Sequence, residues 1–264
     1  MPTDPSAPEV LQQRDDRPVV RIGDVVRHPR DPWSSSVHAL LRHLHDSGFT
    51  QAPLPVRLTE TDDEVSFMAG TSGDDACRVV ADDDKVAEVA QLLRRYHDAV
   101  EGWQPEEEPV WFDGRRGTGG PGELVCHGDP GPWNMVWRDG ELVGLIDWEY
   151  ATVGTRREDI GYALHYLIPL RDRSYWHDLL GMTRRPRRHK RLRIFAEAYG
   201  IALDESLVED VLAAQRAGVT LMKEMASRGR LRQTRQIEDG ELEREQNAVL
   251  WGEGHRHQLL RALR

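Results

Sequence analysis

The 264-residue chain predicts an α+β protein with a small β-rich unit followed by a larger, mainly helical one. Two observations carry this prediction. In the first seventy residues, β-branched runs alternate with turn signals around a single amphipathic stretch. After Gly70, apolar residues recur mostly at helical spacing. The expected division is therefore 1–70 and 71–264.

Val10–Gln12 reads as a short strand. Val19-Val20-Arg21-Ile22 and Val25-Val26-Arg27 flank the two-residue turn Gly23-Asp24 and predict a hairpin, which Pro29 and Pro32 end. Ser34 to Ser36 offer capping hydroxyls to a helix carrying Val37, Leu40, Leu41 and Leu44, and Gly48 closes it. Val56–Leu58 and Val65–Met68 predict two more strands, and Thr71–Asp75 reads as a linker. Lys85–Val100 puts Val86, Val89, Leu92, Leu93, Tyr96 and Val100 on one helical face. Residues 104–121 form a loop, and helices are expected near 156–170, 174–181, 189–200, 204–228 and 238–262.

Composition narrows the function. A net charge of −10 argues against general nucleic-acid binding. It suits a cationic small substrate, and equally it keeps a chain soluble. No apolar run approaches the ~20 residues of a membrane span. Two cysteines, Cys77 and Cys126, are too few for a disulfide framework or a cysteine-rich zinc site. With no basic, apolar leader at the N-terminus, a cytoplasmic location is expected. The basic run Thr183–Arg193 reads as a solvated loop entering a helix or as an anion-binding patch.

Leu124 to Gly161 carries the chemistry. Asp139-Gly140 between Met135–Arg138 and Glu141–Ile146 is a strong hairpin turn. A two-residue turn places Asn134 opposite Leu145, so Asn134 and Asp147 meet at the open end of the hairpin. Asp129 enters from the adjoining loop. Asp129 alone reads as a turn residue and Asn134 alone as a loop cap; their joint spacing with Asp147 is the signal. Asn134 and Asp147 are hard oxygen ligands suited to Mg²⁺, and Asp129 is placed to accept a proton from an attacking hydroxyl. A metal clamp with a residue orienting the nucleophile is the minimum equipment for phosphoryl transfer. His97 and His165 read as packed helix residues. Trp133, Trp137 and Trp148 read as packing around the hairpin, with Trp133 alternatively flanking a substrate.

His127-Gly128-Asp129-Pro130-Gly131-Pro132-Trp133-Asn134 resembles the HGDxxxxN catalytic loop of the aminoglycoside phosphotransferase and choline kinase family. Ile146-Asp147-Trp148-Glu149 resembles its metal-binding strand end, and Arg156–Asp159 with Ile160-Gly161 its next motif. The stretches at 92–99 and 196–200 resemble family helices, so the likeness runs over roughly 19–262. It implies a bilobal protein-kinase-like fold and Mg²⁺- and ATP-dependent transfer (GTP being a possible donor) to a hydroxyl of a small, cationic acceptor such as an aminoglycoside antibiotic, in a monomer or homodimer. Asp129 would be the catalytic base, Asn134 and Asp147 the Mg²⁺ ligands, and His127 and Asp159 structural. Arg27 would contact ATP phosphates, and Ser66–Gly70, including Met68 and Gly70, would form the hinge at the adenine. Glu205, Glu209, Asp210 and Glu224 are candidates to meet acceptor amino groups or to be solvated helix faces.

Two features depart from the family pattern. The place of the Gly-rich phosphate loop holds Gln12–Pro18 without a glycine, with Arg14 or Arg17 as candidate replacements. The helix after Pro32 offers His38 where the family has a Glu to pair with the strand cation. The alternative reading is a kinase-fold protein without phosphotransfer, serving as a ligand-binding module or carrying out other chemistry.

Overall fold

The computed structural model of the chain describes residues 7–13 and 18–263. Strands β1 (Glu9–Gln12), β2 (Val19–Ile22), β3 (Val25–Pro29), β4 (Pro55–Leu58) and β5 (Asp62–Ser66) form one antiparallel sheet in the order β1-β2-β3-β5-β4. The β2–β3 hairpin forms as expected, with Ile22 facing Val25 across its turn. β5 starts earlier than the expected Val65. Its acidic residues enter the sheet because each finds a partner: Asp62 the Thr61 hydroxyl, Asp63 His38, and Glu64 two arginines.

Helix α1 (Ser34–Asp46) buries Leu40, Leu41 and Leu44. Its serines do not cap it. Ser34 Oγ accepts from the Asp31 N–H, and Ser36 Oγ reaches across to the Val110 N–H at 2.9 Å, which ties the helix to the loop after α3 (Asp83–Val100). Asp82 caps α3, and all six residues of its expected apolar face are buried. The stretch read as a linker, Thr71–Asp75, runs at its end into a short helix, α2 (Asp74–Val79), which buries Ala76 and Cys77.

The remainder is mainly helical: α4 (Arg156–Leu167), α5 (Arg188–Tyr199), α6 (Glu205–Ser227), α7 (Leu231–Glu238) and α8 (Glu241–Ala262), with a π-helical turn at Tyr175–Leu179. Two small antiparallel pairs sit at its centre, β6 (Leu124–Cys126) with β9 (Thr152–Gly154), and β7 (Met135–Arg138) with β8 (Glu141–Leu145). Among the described residues, no helix is long and apolar enough to cross a membrane.

Residues 183–187 of the basic run form the largely exposed loop that one reading expected, entering α5 at Arg188, but the helical part is not an open anion-binding patch. Arg191 is fully buried and donates to the Leu167 and Ala81 carbonyls at 2.6 and 3.1 Å, to the Val80 carbonyl, and to Asp83 at 3.0 Å. Arg187 and Lys190 meet the same carboxylate at 2.9 Å, and Arg188 donates to the Pro169 carbonyl. The run therefore fastens α5 to the start of α3, at one acidic residue that periodicity alone did not single out.

Candidate active site

The loop from β6 is held from behind by α4. Asp159 is buried, and its two oxygens accept the backbone N–H groups of His127 at 2.7 Å and Gly128 at 2.9 Å. His97 meets the same carboxylate at 3.2 Å and the Tyr199 hydroxyl at 2.8 Å. Burial opposes the charge of Asp159, but these donors keep its pKa below the ordinary carboxylate value. Gly128 sits at φ 80°, with its α-carbon against the Tyr150 carbonyl, where a Cβ would collide. His127 is completely buried and edge-on to Trp148. Its Nδ1 accepts the Asp129 N–H, which leaves Nε2–H to donate to the Ile146 carbonyl at 3.1 Å. Burial pushes its pKa down to about 4, so the ring is a neutral brace between the loop and β8.

Asp129 is 7% exposed. The Tyr162 hydroxyl donates to Oδ1 at 2.6 Å; Asn134 Nδ2 and Trp133 Nε1 donate to Oδ2 at 3.0 and 3.3 Å. Burial raises its pKa to about 6 in spite of these donors and of the nearby Arg232 charge. Such a carboxylate is ionised at neutral pH and close to matched for taking a proton. Sequence reading missed Tyr162. The signal was available: Asp159 and Tyr162 are three apart on one helix and so share a face, and that face carries both contacts to the loop.

The β7–β8 turn forms as expected, with Asp139 and Gly140 at φ 53° and 82°. The register does not hold throughout. Arg138 faces Glu141 and Trp137 faces Leu142, but a bulge then shifts the ladder, so Met135 faces Leu145. Asn134 consequently pairs with Ile146, whose N–H donates to its carbonyl at 2.9 Å, rather than with Leu145. The shift leaves Asp147 directly after that rung, in the left-handed conformation at φ 63° and ψ 67°. This is a strained choice for a non-glycine residue, and such strain clusters at functional positions. Asn134 commits Nδ2 to Asp129, and no hydrogen bond among the described residues uses its Oδ1. An amide oxygen and a carboxylate at the mouth of one hairpin are a donor set that fits Mg²⁺.

The segment after β5 crosses the hairpin closely. Thr71 and Trp137 exchange backbone hydrogen bonds at 2.7 and 2.9 Å. Gly70 has φ 153°, and a Cβ there would lie 2.6 Å from the Trp137 carbonyl oxygen. The Met68 thioether lies over Gly144 of β8. Met68 thus lies against β8, which leads to Asp147, and Gly70 against β7, which follows Asn134.

Arg27 is not brought to this site. In the β3–β5 ladder Arg27 faces Glu64 and His28 faces Asp63. Asp63 meets His38 of α1 at 2.6 Å. Adjacent strand residues point to opposite faces, so His28 and Asp63 share the α1 face and Arg27 lies on the other. There Arg27 and Arg57 flank Glu64 at 2.8 and 2.9 Å, and Arg57's hydrogen bond keeps the Glu64 pKa low. The carboxylate partner expected from α1 is supplied by β5. Arg14 and Arg17, the candidates to replace the Gly-rich loop, lie outside the described residues.

On the other side, α7 approaches the loop. Arg232 binds Glu149 at 2.5 Å and lies over the Tyr150 ring. Burial works against its charge, but Tyr150, Glu149, Asp147 and Asp129 together hold it cationic, with its pKa above the ordinary arginine value. Arg232 also lines a cavity of about 500 Å³ bounded by α7, the end of β3 and Glu149-Tyr150. Of the acidic residues proposed from the sequence, Glu209 is bound to Arg256 and Asp210 to Arg157, and neither lines this cavity.

Comparison with known proteins identifies the family and the fold. A curated relative, the trifolitoxin immunity protein of Rhizobium leguminosarum bv. trifolii, is 38% identical over 146 residues, 55% of each chain, so this chain matches about half of that protein's length. The GDP and kanamycin complex of APH(2")-IIia superposes with a TM-score of 0.58 at 15% identity, covering 91% of this chain and 93% of that one. A choline/ethanolamine kinase family protein from Mesorhizobium loti gives 0.54 at 13% identity over 92% of both. Aminoglycoside phosphotransferase APH(3'')-Id from Streptomyces rimosus gives 0.50 at 15% identity over 78% and 91%. These neighbours establish a protein-kinase-like α+β fold. The sequence signature of the phosphotransferase enzyme family (APH) matches residues 37–206, more than half of the 264, and the chain belongs to that family.

Proposed function

We propose that the protein is a Mg²⁺- and ATP-dependent phosphotransferase that phosphorylates a hydroxyl of a small, toxic natural product. The observation that supports this most is Asp129: a buried carboxylate with a pKa near 6, fixed by Tyr162, Trp133 and Asn134 beside a hairpin mouth that presents Asn134 and Asp147. Asp129 orients the acceptor hydroxyl and takes its proton as the oxygen attacks the γ-phosphorus and the nucleoside diphosphate leaves. Asn134 Oδ1 and Asp147 would hold the cation, which supplies charge neutralisation on the transferring group. Met68 and Gly70 would border the adenine. Similar structures are complexes with ADP and with GDP, which supports a nucleotide donor and leaves GTP as the alternative to ATP. The immunity protein among the relatives supports a toxic acceptor.

The test is ADP release with a panel of hydroxylated natural products, with the phosphate located by mass spectrometry. Asp129→Asn should lower turnover by about 10³-fold and leave the melting temperature near that of the wild type. Full turnover by that variant would overturn the proposal.

A further inference from the structure

The anchor of the catalytic loop is itself held from a third helix. Asp159 of α4 is ionised and can only accept, which assigns a proton to His97 Nε2, 3.2 Å from its Oδ2. The other ring nitrogen, Nδ1, lies 2.8 Å from the hydroxyl of Tyr199, the last residue of α5. A hydroxyl has one proton to give and two lone pairs to receive with. Arg156 Nη1 donates to the Tyr199 oxygen at 3.5 Å, and a guanidinium cannot accept, so the hydroxyl proton goes to Nδ1. His97 is 0% exposed and Tyr199 4%, so water does not compete for this bond. The donors then run one way, from Arg156 to Tyr199, to His97, to Asp159, and bonds arranged head to tail strengthen one another. On its other side the same carboxylate takes the N–H groups of His127 and Gly128.

Tyr199 can aim its hydroxyl because of how α5 ends. Leu192, Phe195, Ala196 and Tyr199 form its buried face, and Gly200, left-handed at φ 81°, stops the helix directly afterwards. The phenol ring stacks on Phe195 with centroids 6.0 Å apart and planes 6° from parallel, and the Arg94 guanidinium lies over it at 5.8 Å.

We propose that Tyr199 is a positioning residue of the catalytic loop. Its hydroxyl donates to Nδ1 and pins the His97 ring with Nε2–H on Asp159, and Asp159 in turn fixes the loop N–H groups that set the place of Asp129. Only the effect on turnover rests on the phosphotransferase reading; the hold on the loop can be measured without any transfer.

The test uses the ¹⁵N-labelled full chain, with the His97 ring signals assigned by their loss in His97→Gln. In the wild type, Nε2 should carry the proton, and Nδ1 should resonate upfield of a free ring nitrogen because it accepts a hydrogen bond. In Tyr199→Phe, which keeps the stacked ring, Nδ1 should move to the free position. The His127 and Gly128 amides should then exchange about fivefold faster or more, relative to the Val211 and Leu212 amides of α6, which report global unfolding. A Gln at 97 can offer its amide to Asp159 without help from Tyr199, so Tyr199→Phe in the His97→Gln background should add no further exchange. Turnover should show a lower kcat with an unchanged KM for ATP. A proton on Nδ1 in the wild type, loop amides indifferent to Tyr199→Phe, or an equal effect in the His97→Gln background would overturn the proposal. Full turnover in Asp129→Asn would remove the phosphotransferase reading and leave the ring shift and the exchange rates standing, so the two fail separately.

Discussion

The two sides of the cleft are built to different standards. The catalytic loop is tied to other elements through its polar groups: Asp159 to His97 and two loop N–H groups, His127 to Ile146, and Asp129 to Tyr162. His97, His127, Asp129 and Asp159 are buried, where a fixed dipole counts most. On the sheet side the exposed Arg27 and Arg57 lie against a single carboxylate, Glu64, and no glycine lies between Gln12 and Pro18. The difference teaches where the chain spends its buried hydrogen bonds: on fixing the loop that carries Asp129 rather than on the sheet strand that carries Arg27.

Removing the anchor of the better-built side is the most damaging test. Asp159→Ala strips His97 and two buried N–H groups of their acceptor at once. Breaking such a buried pair costs about 3 kcal/mol or more, read as a lower urea midpoint together with lost transfer. A variant of wild-type stability would show that the loop is held by something else, and the contrast between the two sides would fail.

Acid should attack the same region next. Burial lowers the pKa of His127 and of His165 from 6.5 to about 4. Between those values the unfolded chain binds protons that the folded chain refuses, so stability is present above pH 6.5 and falls as the pH drops toward 4. The expected loss from pH 7.5 to 5 is about 2 kcal/mol for each ring, offset by roughly 1 kcal/mol from Asp129, whose raised pKa works in the opposite direction, as read by urea titration. Glu245, which His165 and Arg171 hold down at about 2 against its burial, adds a further loss below pH 4.5. A flat profile from pH 7.5 to 5 would mean that the two rings are accessible.

Tyr162→Phe sharpens the picture within the site. The hydroxyl lowers the Asp129 pKa against burial. Without it, the rising limb of kcat/KM moves above about pH 6. The rate at pH 6 should fall about tenfold and the rate at pH 8 by less. A purely structural role would lower both equally and leave the midpoint in place.

What was legible in the sequence follows the same division. The spacing of Asp129, Asn134 and Asp147 and the Asp139-Gly140 turn are local, and local patterns survive folding. The bulge in the hairpin was not visible, because it depends on how the segment around Gly70 and Thr71 lies across Val136 and Trp137. Glu64, Tyr162 and Arg232 were missed for a related reason. Each acts on a residue between 33 and 83 positions away along the chain, apart from the nearer Glu64–Arg57 contact. Helix α7 shows this most plainly: polar at six of its eight positions, it offers only Leu231 and Ile237 as apolar landmarks, yet it carries Arg232 to Glu149 and Tyr150.

The smallest expected effect is the one that decides the sheet side. Strand position made Arg27 the natural candidate for the phosphates, but the β3–β5 register turns it to Glu64 and away from α1. Arg27→Ala should therefore leave the KM for ATP within about twofold of wild type, because it removes no contact that differs between the free and nucleotide-bound chain. If Arg27 gripped a phosphate instead, losing that charge-assisted bond would raise the KM by about tenfold or more. Such a rise would require the strand to twist Arg27 off Glu64 when nucleotide binds. Glu64→Gln would then raise affinity by releasing the guanidinium, whereas the face assignment given by the ladder predicts that it leaves affinity unchanged.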